Sequence, residues 1–350
     1  MVFLGINGFG RIGRMILKLA IERDMEVRAI NEPNTCDTAF LAYIFKHDST
    51  HGRFFGKAVP EGDCLNINGM KIRVYRERDP SKVPWLNTSV DYVVDSSGKF
   101  TCRNEANKLL CGGAKKAVVC GLSDDIPMYL CGINLKKYKS SEKIVSLGAC
   151  CTNCLAPIAK VLNDKFGIAS ALVTSLHSVT HGQQVLDAVG KQYRLSRGAF
   201  QNIIPTAPKA FDAVTKVIPA LKKKILGIQY RVPTPNVSVM SISVQLKKCT
   251  SYKQVKCVIR EAAENDFKGV LGYTEEQAVS TDFLGSTCSS VFDASAGQML
   301  NPKTYHLVSW YDNEVGYSSR VLDTVKHMEE QDIIAREMAM LKQRRKKQKC

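Results

Sequence analysis

The pattern of hydrophobic and polar positions changes near the middle of the chain. In the first half, short β-branched runs alternate with segments whose apolar residues recur every three or four positions, as they do on one side of a helix. This pattern predicts, in order, strand 2–6, helix 10–22, strand 26–31, helix 35–45 and strands 91–95, 117–120 and 143–146. Strands of continuous hydrophobicity that alternate with helices are typical of a parallel sheet covered on both faces.

The second half carries longer apolar runs, several of which alternate with polar residues as in a strand with one buried face. Strands are predicted over 169–179, 229–232, 237–246 and 306–310, with a helix over 252–264. This pattern favours a mixed or antiparallel sheet backed by helices. The predicted fold class is therefore α/β, with a doubly wound domain followed by an α+β domain.

These patterns divide the chain into four segments. The boundary between the two domains is predicted near residue 149, so that the first domain covers 1–149 and the second covers 150–314. Residues 315–333 are expected to form an amphipathic helix that returns to the first domain. Residues 334–350 are expected to form a basic tail with a solvated end.

Composition excludes several classes of protein. No stretch approaches eighteen consecutive apolar residues, which excludes a membrane-spanning helix. The thirteen cysteines are odd in number and irregularly spaced, unlike a secreted disulfide framework, and a pair of Cys-x-x-Cys motifs, as in a structural zinc site, is absent. The chain begins directly with an apolar run, without a charged segment or cleavage site. We therefore expect a cytoplasmic protein with free thiols and no bound metal.

The formal charge of +16 is high for a chain of 350 residues. Six of these positive charges lie in residues 342–349, so ten remain on the rest of the chain. Anionic substrates and cofactors are attracted to such a surface, and weak binding of RNA or another polyanion through the basic tail is one interpretation. A solvated, partly disordered end without a partner is the other.

Three glycines, Gly8, Gly10 and Gly13, form a G-x-G-x-x-G motif between a predicted strand and a predicted helix, which is the context that dinucleotide binding requires. The first glycine makes a tight turn, the second lets backbone N–H groups approach a pyrophosphate, and the third allows close packing of helix and strand. Glu32 lies nineteen residues past Gly13, where a carboxylate binds the adenine ribose hydroxyls and repels a 2′-phosphate. The combination favours a Rossmann domain that binds NAD rather than NADP. A glycine turn with an unrelated surface glutamate is the alternative.

A cysteine, Cys150, lies where a predicted strand passes into a segment with helical spacing. The N-terminus of a helix lowers the pKa of a thiol, and attack on an aldehyde requires the thiolate. Among the six histidines, His177 ends an apolar run and enters a polar turn, a position suited to a catalytic base. A buried filler cysteine and a core histidine are the alternative interpretations.

Five blocks of the sequence resemble a known family. The blocks that carry the resemblance are 5–14, 48–52, 150–157, 231–238 and 310–314, in the same order as in that family. They are similar to phosphorylating glyceraldehyde-3-phosphate dehydrogenase, and the resemblance extends over the whole chain except the basic tail. It implies a Rossmann NAD domain, an α+β catalytic domain and a homotetramer.

The resemblance also implies a reaction and its residues. The family oxidises glyceraldehyde 3-phosphate with NAD and inorganic phosphate to 1,3-bisphosphoglycerate. Cys150 falls on the position of the nucleophile and His177 on that of the general base. Thr180 and Arg231 fall on positions that bind the substrate phosphate. Cofactor-binding positions correspond to Arg11, Ile12, Glu32, Arg78, Cys120 and Asn313, of which Cys120 replaces a serine-type contact.

The site for the attacking phosphate departs from the family pattern. Where the family has Ser-Cys-Thr and Ser-Thr-Gly, this chain has Ala149-Cys150-Cys151 and Ala207-Pro208-Lys209. Hydroxyl donors are lost at Ala149, Cys151 and Pro208, and Pro208 has no backbone N–H to donate. Lys209 adds a cation that binds phosphate as a point charge.

Two other functions are compatible with these residues. One is a divergent relative with impaired phosphorolysis, which hydrolyses its thioester or accepts another phosphorylated aldehyde such as erythrose 4-phosphate. The other is a dehydrogenase fold recruited through its basic body and tail to RNA, acidic proteins or membrane surfaces.

Overall fold

A computed structural model describes residues 2–35, 37–190, 192–206 and 209–348. The chain forms two compact units. Unit 1 contains the residues up to Asp48, Gly52–Leu147 and the residues from Arg320 onwards. Unit 2 contains Ser49–His51 and Gly148–Ser319.

Unit 1 is built on an eight-stranded sheet. Its elements are β1 (Leu4–Asn7), α1 (Arg11–Glu22), β2 (Val27–Asn31), α2 (Thr38–Lys46), the short strands β3 (His47–Asp48) and β4 (Gly52–Arg53), then β5 (Ala58–Glu61), β6 (Cys64–Ile67), β7 (Met70–Tyr75), β8 (Tyr92–Asp95), α3 (Arg103–Asn107), β9 (Lys116–Val119) and β10 (Ile144–Ser146). The strand order is β10-β9-β8-β1-β2-β7-β6-β5, and neighbours are parallel from β10 to β7. The parallel part is the predicted doubly wound sheet. Its central strands β1, β8 and β9 are buried throughout, as their continuous hydrophobicity indicated.

Two details of the sequence prediction were wrong in unit 1. Strands β5 and β6 pair antiparallel at one edge, where no strands were predicted. The turn between β6 and β7 contains Asn68 and Gly69, both with positive φ, and this pair between alternating residues is typical of a hairpin. Helix α2 begins at Thr38 rather than residue 35, because the Asp37 side chain accepts a hydrogen bond from the Phe40 N–H and caps the helix there.

Unit 2 has a seven-stranded mixed sheet backed by helices, as predicted. Its elements are α4 (Cys150–Phe166), β11 (Ile168–His177), β12 (Ile204–Thr206), α5 (Ala210–Val217), β13 (Ile225–Arg231), β14 (Ser238–Leu246), α6 (Tyr252–Glu264), β15 (Leu271–Thr274), β16 (Ser290–Asn301) and β17 (Thr304–Tyr311). The strand order is β12-β13-β11-β14-β17-β16-β15. Two pairs, β11 with β13 and β15 with β16, are parallel, and the others are antiparallel. Strand β16 escaped prediction because its second half is mostly exposed and lacks a regular alternation of apolar and polar residues.

The last helix, α7, runs from Val315 to Lys347, well beyond the predicted end at residue 333. Its part within unit 1 packs on the sheet through a partly buried ion pair between Lys116 Nζ and Asp332 Oδ1, 2.7 Å apart. The hydroxyls of Tyr92 and Tyr138 also bond to Asp332. None of the helices in the described parts of the chain is long and apolar enough to cross a membrane.

A buried polar cluster joins residues 49–51 to the rest of unit 2. His51 Nε2 lies 2.9 Å from Asp312 Oδ2, and Asn236 Nδ2 donates to Asp312 Oδ1 at 2.8 Å. The same carboxylate accepts backbone N–H groups of Glu314 and Val315, both at 2.9 Å, at the start of α7. Burial raises the pKa of Asp312, but the hydrogen bond and charge of His51 and the backbone donors outweigh it, so the net pKa is lowered.

Replacing Asp312 with Asn is therefore expected to destabilise the protein by about 3 kcal/mol near neutral pH, because it removes one partner of a buried ion pair. A carboxyl with a lowered folded-state pKa stabilises the fold above its unfolded pKa, and this contribution is lost as the pH falls through the folded value. The difference in free energy of unfolding between wild type and Asp312→Asn should therefore shrink below about pH 4. Chemical denaturation from pH 3 to 7 measures it, and a difference that is constant with pH would contradict this role.

Candidate active site

The loop between β1 and α1 has the backbone that phosphate binding requires. Gly8 has φ of +92°, which favours glycine, and a Cβ added to Gly13 would lie 2.1 Å from the Gly8 carbonyl oxygen. A Cβ on Gly10 would meet no atom within 4 Å, so this side of the loop is open to an approaching group. Helix α1 then begins at Arg11 without a side-chain cap. These features fit a pyrophosphate at the helix N-terminus.

Glu32 follows β2 directly and is fixed against the same loop. Its Oε2 accepts the Phe9 N–H at 2.7 Å, and its Oε1 accepts the Asn34 N–H at 3.0 Å. The carboxylate is therefore held beside the glycine turn, where ribose hydroxyls can donate to it and a 2′-phosphate is repelled.

A buried polar ladder crosses the carboxyl ends of three neighbouring strands of unit 1. Asn7 Nδ2 donates to Asp95 Oδ1, and Asn31 Nδ2 donates to Asn7 Oδ1, both at 2.8 Å. Burial raises the pKa of Asp95. Sequence reasoning missed this ladder, although a polar residue at the end of each buried strand could have indicated it. The ladder fixes the strand ends from which the cofactor loop departs.

The other predicted cofactor residues occupy different positions. Arg11 and Ile12 lie in the first turn of α1, and Arg78 is exposed after β7. Cys120 follows β9, and its N–H donates to the Asp95 carbonyl at 2.8 Å. Asn313 belongs to unit 2, where its Oδ1 accepts the hydroxyls of Ser178 at 2.7 Å and Ser238 at 3.2 Å.

Cys150 and His177, which are 27 positions apart in the sequence, lie in contact in unit 2. Cys150 is the first residue of α4, and His177 is the last residue of β11. The distance from Cys150 Sγ to His177 Nε2 is 3.5 Å. The preceding residue, Ala149, offers no side chain to cap α4. The helix N-terminus and the imidazole are both placed to stabilise a thiolate at this position.

The other ring nitrogen of His177 has two neighbours. Nδ1 lies 2.7 Å from the Ser178 carbonyl oxygen and 2.7 Å from Arg231 Nη1, because His177 and Arg231 face each other across the β11–β13 pair. A guanidinium only donates, so Nδ1 either donates to Ser178 or accepts from Arg231 in a given tautomer. In the first tautomer Nε2 accepts a proton from Cys150, and in the second it donates to the thiolate.

A second thiol stands beside the first. Cys151 Sγ lies 4.0 Å from Cys150 Sγ, and the Cys151 side chain is buried. The hydrogen bond from Cys150 lowers the pKa of Cys151 well below the usual range despite burial, and His177 adds to this effect. The same hydrogen bond and burial raise the pKa of Cys150 well above it. The pair therefore loses its first proton readily and holds its second tightly. Burial raises the pKa of the nearby Cys154 to about 12.

A cavity of about 580 Å³ contains the predicted substrate-phosphate residues Thr180 and Arg231. Arg231 Nε is buried without a hydrogen-bond partner among the described residues, and so are Nε2 atoms of Gln183 and Gln229, which line the same cavity. Three unsatisfied donors around one space are suited to an anion. Arg194 also lines it, and sequence reasoning missed this residue because it lies in a segment without periodic pattern.

The predicted attacking-phosphate residues are divided between two helix N-termini. Ala149 and Cys151 belong to the start of α4, and Lys209 is the residue that precedes α5. Thr152 Oγ1 donates to the Ala210 carbonyl at 2.9 Å, which holds the two helix starts together. Pro208 lies outside the described residues.

Replacing His177 with Asn should slow alkylation of Cys150 by iodoacetamide at pH 7 by about tenfold or more, because the imidazole no longer stabilises the thiolate. Mass spectrometry of the peptide that contains Cys150 measures the rate. His306→Asn is the matched control, since His306 is exposed and its ring nitrogens lie beside the hydroxyls of Ser241 and Ser243. Equal rates in the wild type and His177→Asn would show that the imidazole does not activate the thiol.

Comparison with known proteins agrees with this geometry. The NAD binding domain of glyceraldehyde 3-phosphate dehydrogenase matches residues 2–103, and the C-terminal domain of the same enzyme matches residues 149–313. Glyceraldehyde-3-phosphate dehydrogenase 2 of Drosophila pseudoobscura pseudoobscura is 52% identical over 330 residues, which are 94% of this chain and 99% of the relative. Glyceraldehyde-3-phosphate dehydrogenase 2 of Schizosaccharomyces pombe is 49% identical over 94% of this chain and 98% of its own length. The chain therefore belongs to the glyceraldehyde-3-phosphate dehydrogenase family.

Proposed function

We propose that this chain is an NAD-dependent enzyme of glycolysis that oxidises glyceraldehyde 3-phosphate to 1,3-bisphosphoglycerate with inorganic phosphate. The observation that carries the proposal is the 3.5 Å contact between Cys150 Sγ and His177 Nε2 in a member of this family. Arg231 connects this pair to the cavity with unsatisfied donors, since it contacts His177 and lines that cavity. A nucleophile, a base and an anion site thus adjoin one another.

Binding of the substrate begins at the cavity. We assign its 3-phosphate to Arg231 and Thr180, because a guanidinium binds phosphate through two parallel hydrogen bonds and Arg231 Nε has no other partner in the described structure. We assign its C1 to the Cys150 sulfur, because Arg231 of this cavity also contacts His177. The Cys150 thiolate adds to C1 and forms a hemithioacetal, whose oxygen the N-terminus of α4 stabilises.

His177 then acts as the base. Nε2 takes the thiol proton as Cys150 adds to C1, returns it to the hemithioacetal oxygen, and takes it again as the hydride leaves, while Nδ1 donates to the Ser178 carbonyl. The glycine loop and Glu32 would hold NAD, which would supply the acceptor for the hydride that leaves C1. The product on the protein is a thioester at Cys150. Attack by inorganic phosphate releases the acyl phosphate and restores the thiolate.

We assign cofactor binding to the first domain, 1–149, and catalysis to the second, 150–314, with 315–333 returning to the first. Gly8, Gly10 and Gly13 would receive the pyrophosphate and Glu32 the adenine ribose. We further assign Arg11, Ile12, Arg78 and Cys120 to the cofactor. Asn313 would hold the nicotinamide carboxamide, since Ser178 and Ser238 occupy its oxygen and direct its amide nitrogen to donate.

The attacking phosphate meets fewer hydroxyls than in the family pattern. Each lost neutral hydrogen bond costs about 0.5–1.5 kcal/mol, so the changes at Ala149, Cys151 and Pro208 weaken phosphate binding by roughly 2–4 kcal/mol. Two helix N-termini and the Lys209 cation offset part of this loss. We therefore expect phosphorolysis to operate with a raised requirement for phosphate.

The reaction is tested by NADH formation from glyceraldehyde 3-phosphate, titrated with phosphate and repeated with arsenate. The rate should rise with phosphate, and Cys150→Ser should abolish it, because the hydroxyl is a far weaker nucleophile than the thiolate. A rate independent of phosphate, or a preference for erythrose 4-phosphate, would instead favour the divergent relative that hydrolyses its thioester.

Ala149→Ser should lower the KM for phosphate by about twofold to tenfold, because it restores one hydroxyl at the start of α4. Lys209→Gln should raise the same constant, since it removes the compensating cation. Both variants should leave the KM for glyceraldehyde 3-phosphate nearly unchanged. A change in the aldehyde constant instead would place Ala149 and Lys209 at the substrate phosphate.

We also propose a cytoplasmic homotetramer. The outward face of unit 2 supports assembly, since Leu172 and Leu226 are 62% and 69% exposed on the neighbouring strands β11 and β13. An apolar patch of this kind marks an interaction surface. The cysteines of the described residues are all free, which suits a reducing compartment.

The end of α7 supports a second activity, weak binding of RNA or another polyanion. Lys342, Arg344, Arg345 and Lys347 lie on exposed helical turns. Deletion of residues 342–350 should weaken retention on a polyanion column and reduce its salt dependence, because fewer counterions are released on binding. Dehydrogenase activity is the internal control. Unchanged retention after deletion would assign polyanion binding to the rest of the basic surface.

A further inference from the structure

Three potential metal ligands lie together at the proposed active site: the proposed nucleophile, the proposed base and a second thiol. Cys150 Sγ, Cys151 Sγ and a ring nitrogen of His177 all lie within 4.8 Å of one another. Cys151 occupies the position where the family pattern has Thr, so the second sulfur belongs to this chain rather than to the shared chemistry. The dehydrogenase reaction described above has no use for it.

The spacing of these atoms matches a zinc tetrahedron. With Zn–S distances of about 2.3 Å and Zn–N distances of about 2.0–2.1 Å, two ligand sulfurs lie about 3.8 Å apart and a sulfur and nitrogen about 3.5 Å apart. The observed distances are 4.0 Å between the two sulfurs and 3.5 Å between Cys150 Sγ and His177 Nε2. The third distance, between Cys151 Sγ and the His177 ring, is within 4.8 Å, so a rotation of the Cys151 side chain toward the ring would complete the three-ligand set.

We propose that Cys150, Cys151 and His177 form a binding site for Zn²⁺, with water as the fourth ligand. Three protein ligands and one water are the arrangement of an open zinc site. On binding, the thiol protons of the pair are released, two Zn–S bonds and one Zn–N bond form, and no atom changes oxidation state. Two thiolates and a neutral imidazole balance the charge of the ion.

The surroundings of His177 are compatible with this ligand set. Arg231 remains beside the remote Nδ1 of His177, so it does not compete for the metal-binding nitrogen. Nδ1 can donate to the Ser178 carbonyl, and such a bond orients a histidine that binds metal through Nε2.

Zinc binding would switch the enzyme off, because it occupies both the nucleophile and the base. This part of the inference rests on the proposed function, whereas metal binding itself does not. Cys151, which replaces the Thr of the family pattern, would therefore make the enzyme reversibly inhibited by zinc.

The test uses the full-length chain without a histidine tag, reduced with a phosphine and freed of metal by a chelator. Zn²⁺ is titrated in competition with a chromogenic chelator, and Co²⁺ is titrated in parallel to record its thiolate charge-transfer absorption. We expect one tight equivalent of Zn²⁺ per chain and a strong charge-transfer band.

Cys151→Thr, which inserts the family residue, should weaken Zn²⁺ binding by at least tenfold and reduce the band. The matched control is Cys249→Ser, since Cys249 is an exposed thiol outside the site; it should bind as the wild type does.

The outcomes are separable. Equal Zn²⁺ affinity in Cys151→Thr and the wild type, with unchanged circular dichroism, would overturn the site. A loss of titratable thiols without retained metal would also overturn it, because it would show oxidation of the dithiol instead. Tight binding that depends on Cys151 but leaves NADH formation unchanged would uphold the metal site and contradict the role assigned to Cys150. Inhibition by equimolar Zn²⁺ that is relieved by the chelator, and weakened in Cys151→Thr, would support both.

Discussion

The contact between Cys150 and His177 depends on how helix α4 and strand β11 run in opposite directions. The seventeen residues of α4 span about 26 Å, and the ten residues of β11 span about 33 Å in the opposite direction. Gly167 makes the reversal between them with φ of +71°. Consecutive elements of comparable length thus bring their outer ends together, and those ends are Cys150 and His177. The pairing of β11 with β13 then sets Arg231 beside His177.

Helix N-termini and a guanidinium place positive charge around this contact. The starts of α4 and α5 are held together by the bond from Thr152 to the Ala210 carbonyl, and Arg231 lies on the other side of His177. The proposed reaction involves a thiolate, an oxyanion and two phosphate groups, all of which are anionic. A site built from helix ends and cations can tolerate the loss of individual hydroxyls at Ala149 and Cys151, since its main contribution is electrostatic.

The sequence allowed prediction of those features that short segments encode. The glycine motif, Glu32 and the placement of Cys150 at a helix start depend on a few neighbouring residues, and the structure puts each at the predicted element boundary. The Asn68-Gly69 hairpin carried an equally local signal that was overlooked. In contrast, the cluster of His51 with Asp312 joins residues 261 positions apart. Hydrophobic periodicity carries no information on such a pair, and the same is true of Arg194, whose segment has neither regular structure nor pattern.

One face of strand β11 is buried and the other is exposed. Its inward residues, such as Val173 and Ser175, are buried and lead to His177, whereas Leu172 and Leu176 face outward and are exposed. A strand that carries His177 on one face and an uncovered apolar row on the other is strengthened by whatever covers that row. Where copies of the chain associate through this face, the rigidity of His177 becomes a property of the assembly rather than of the single subunit, so that dissociation would loosen His177 before it unfolds the chain.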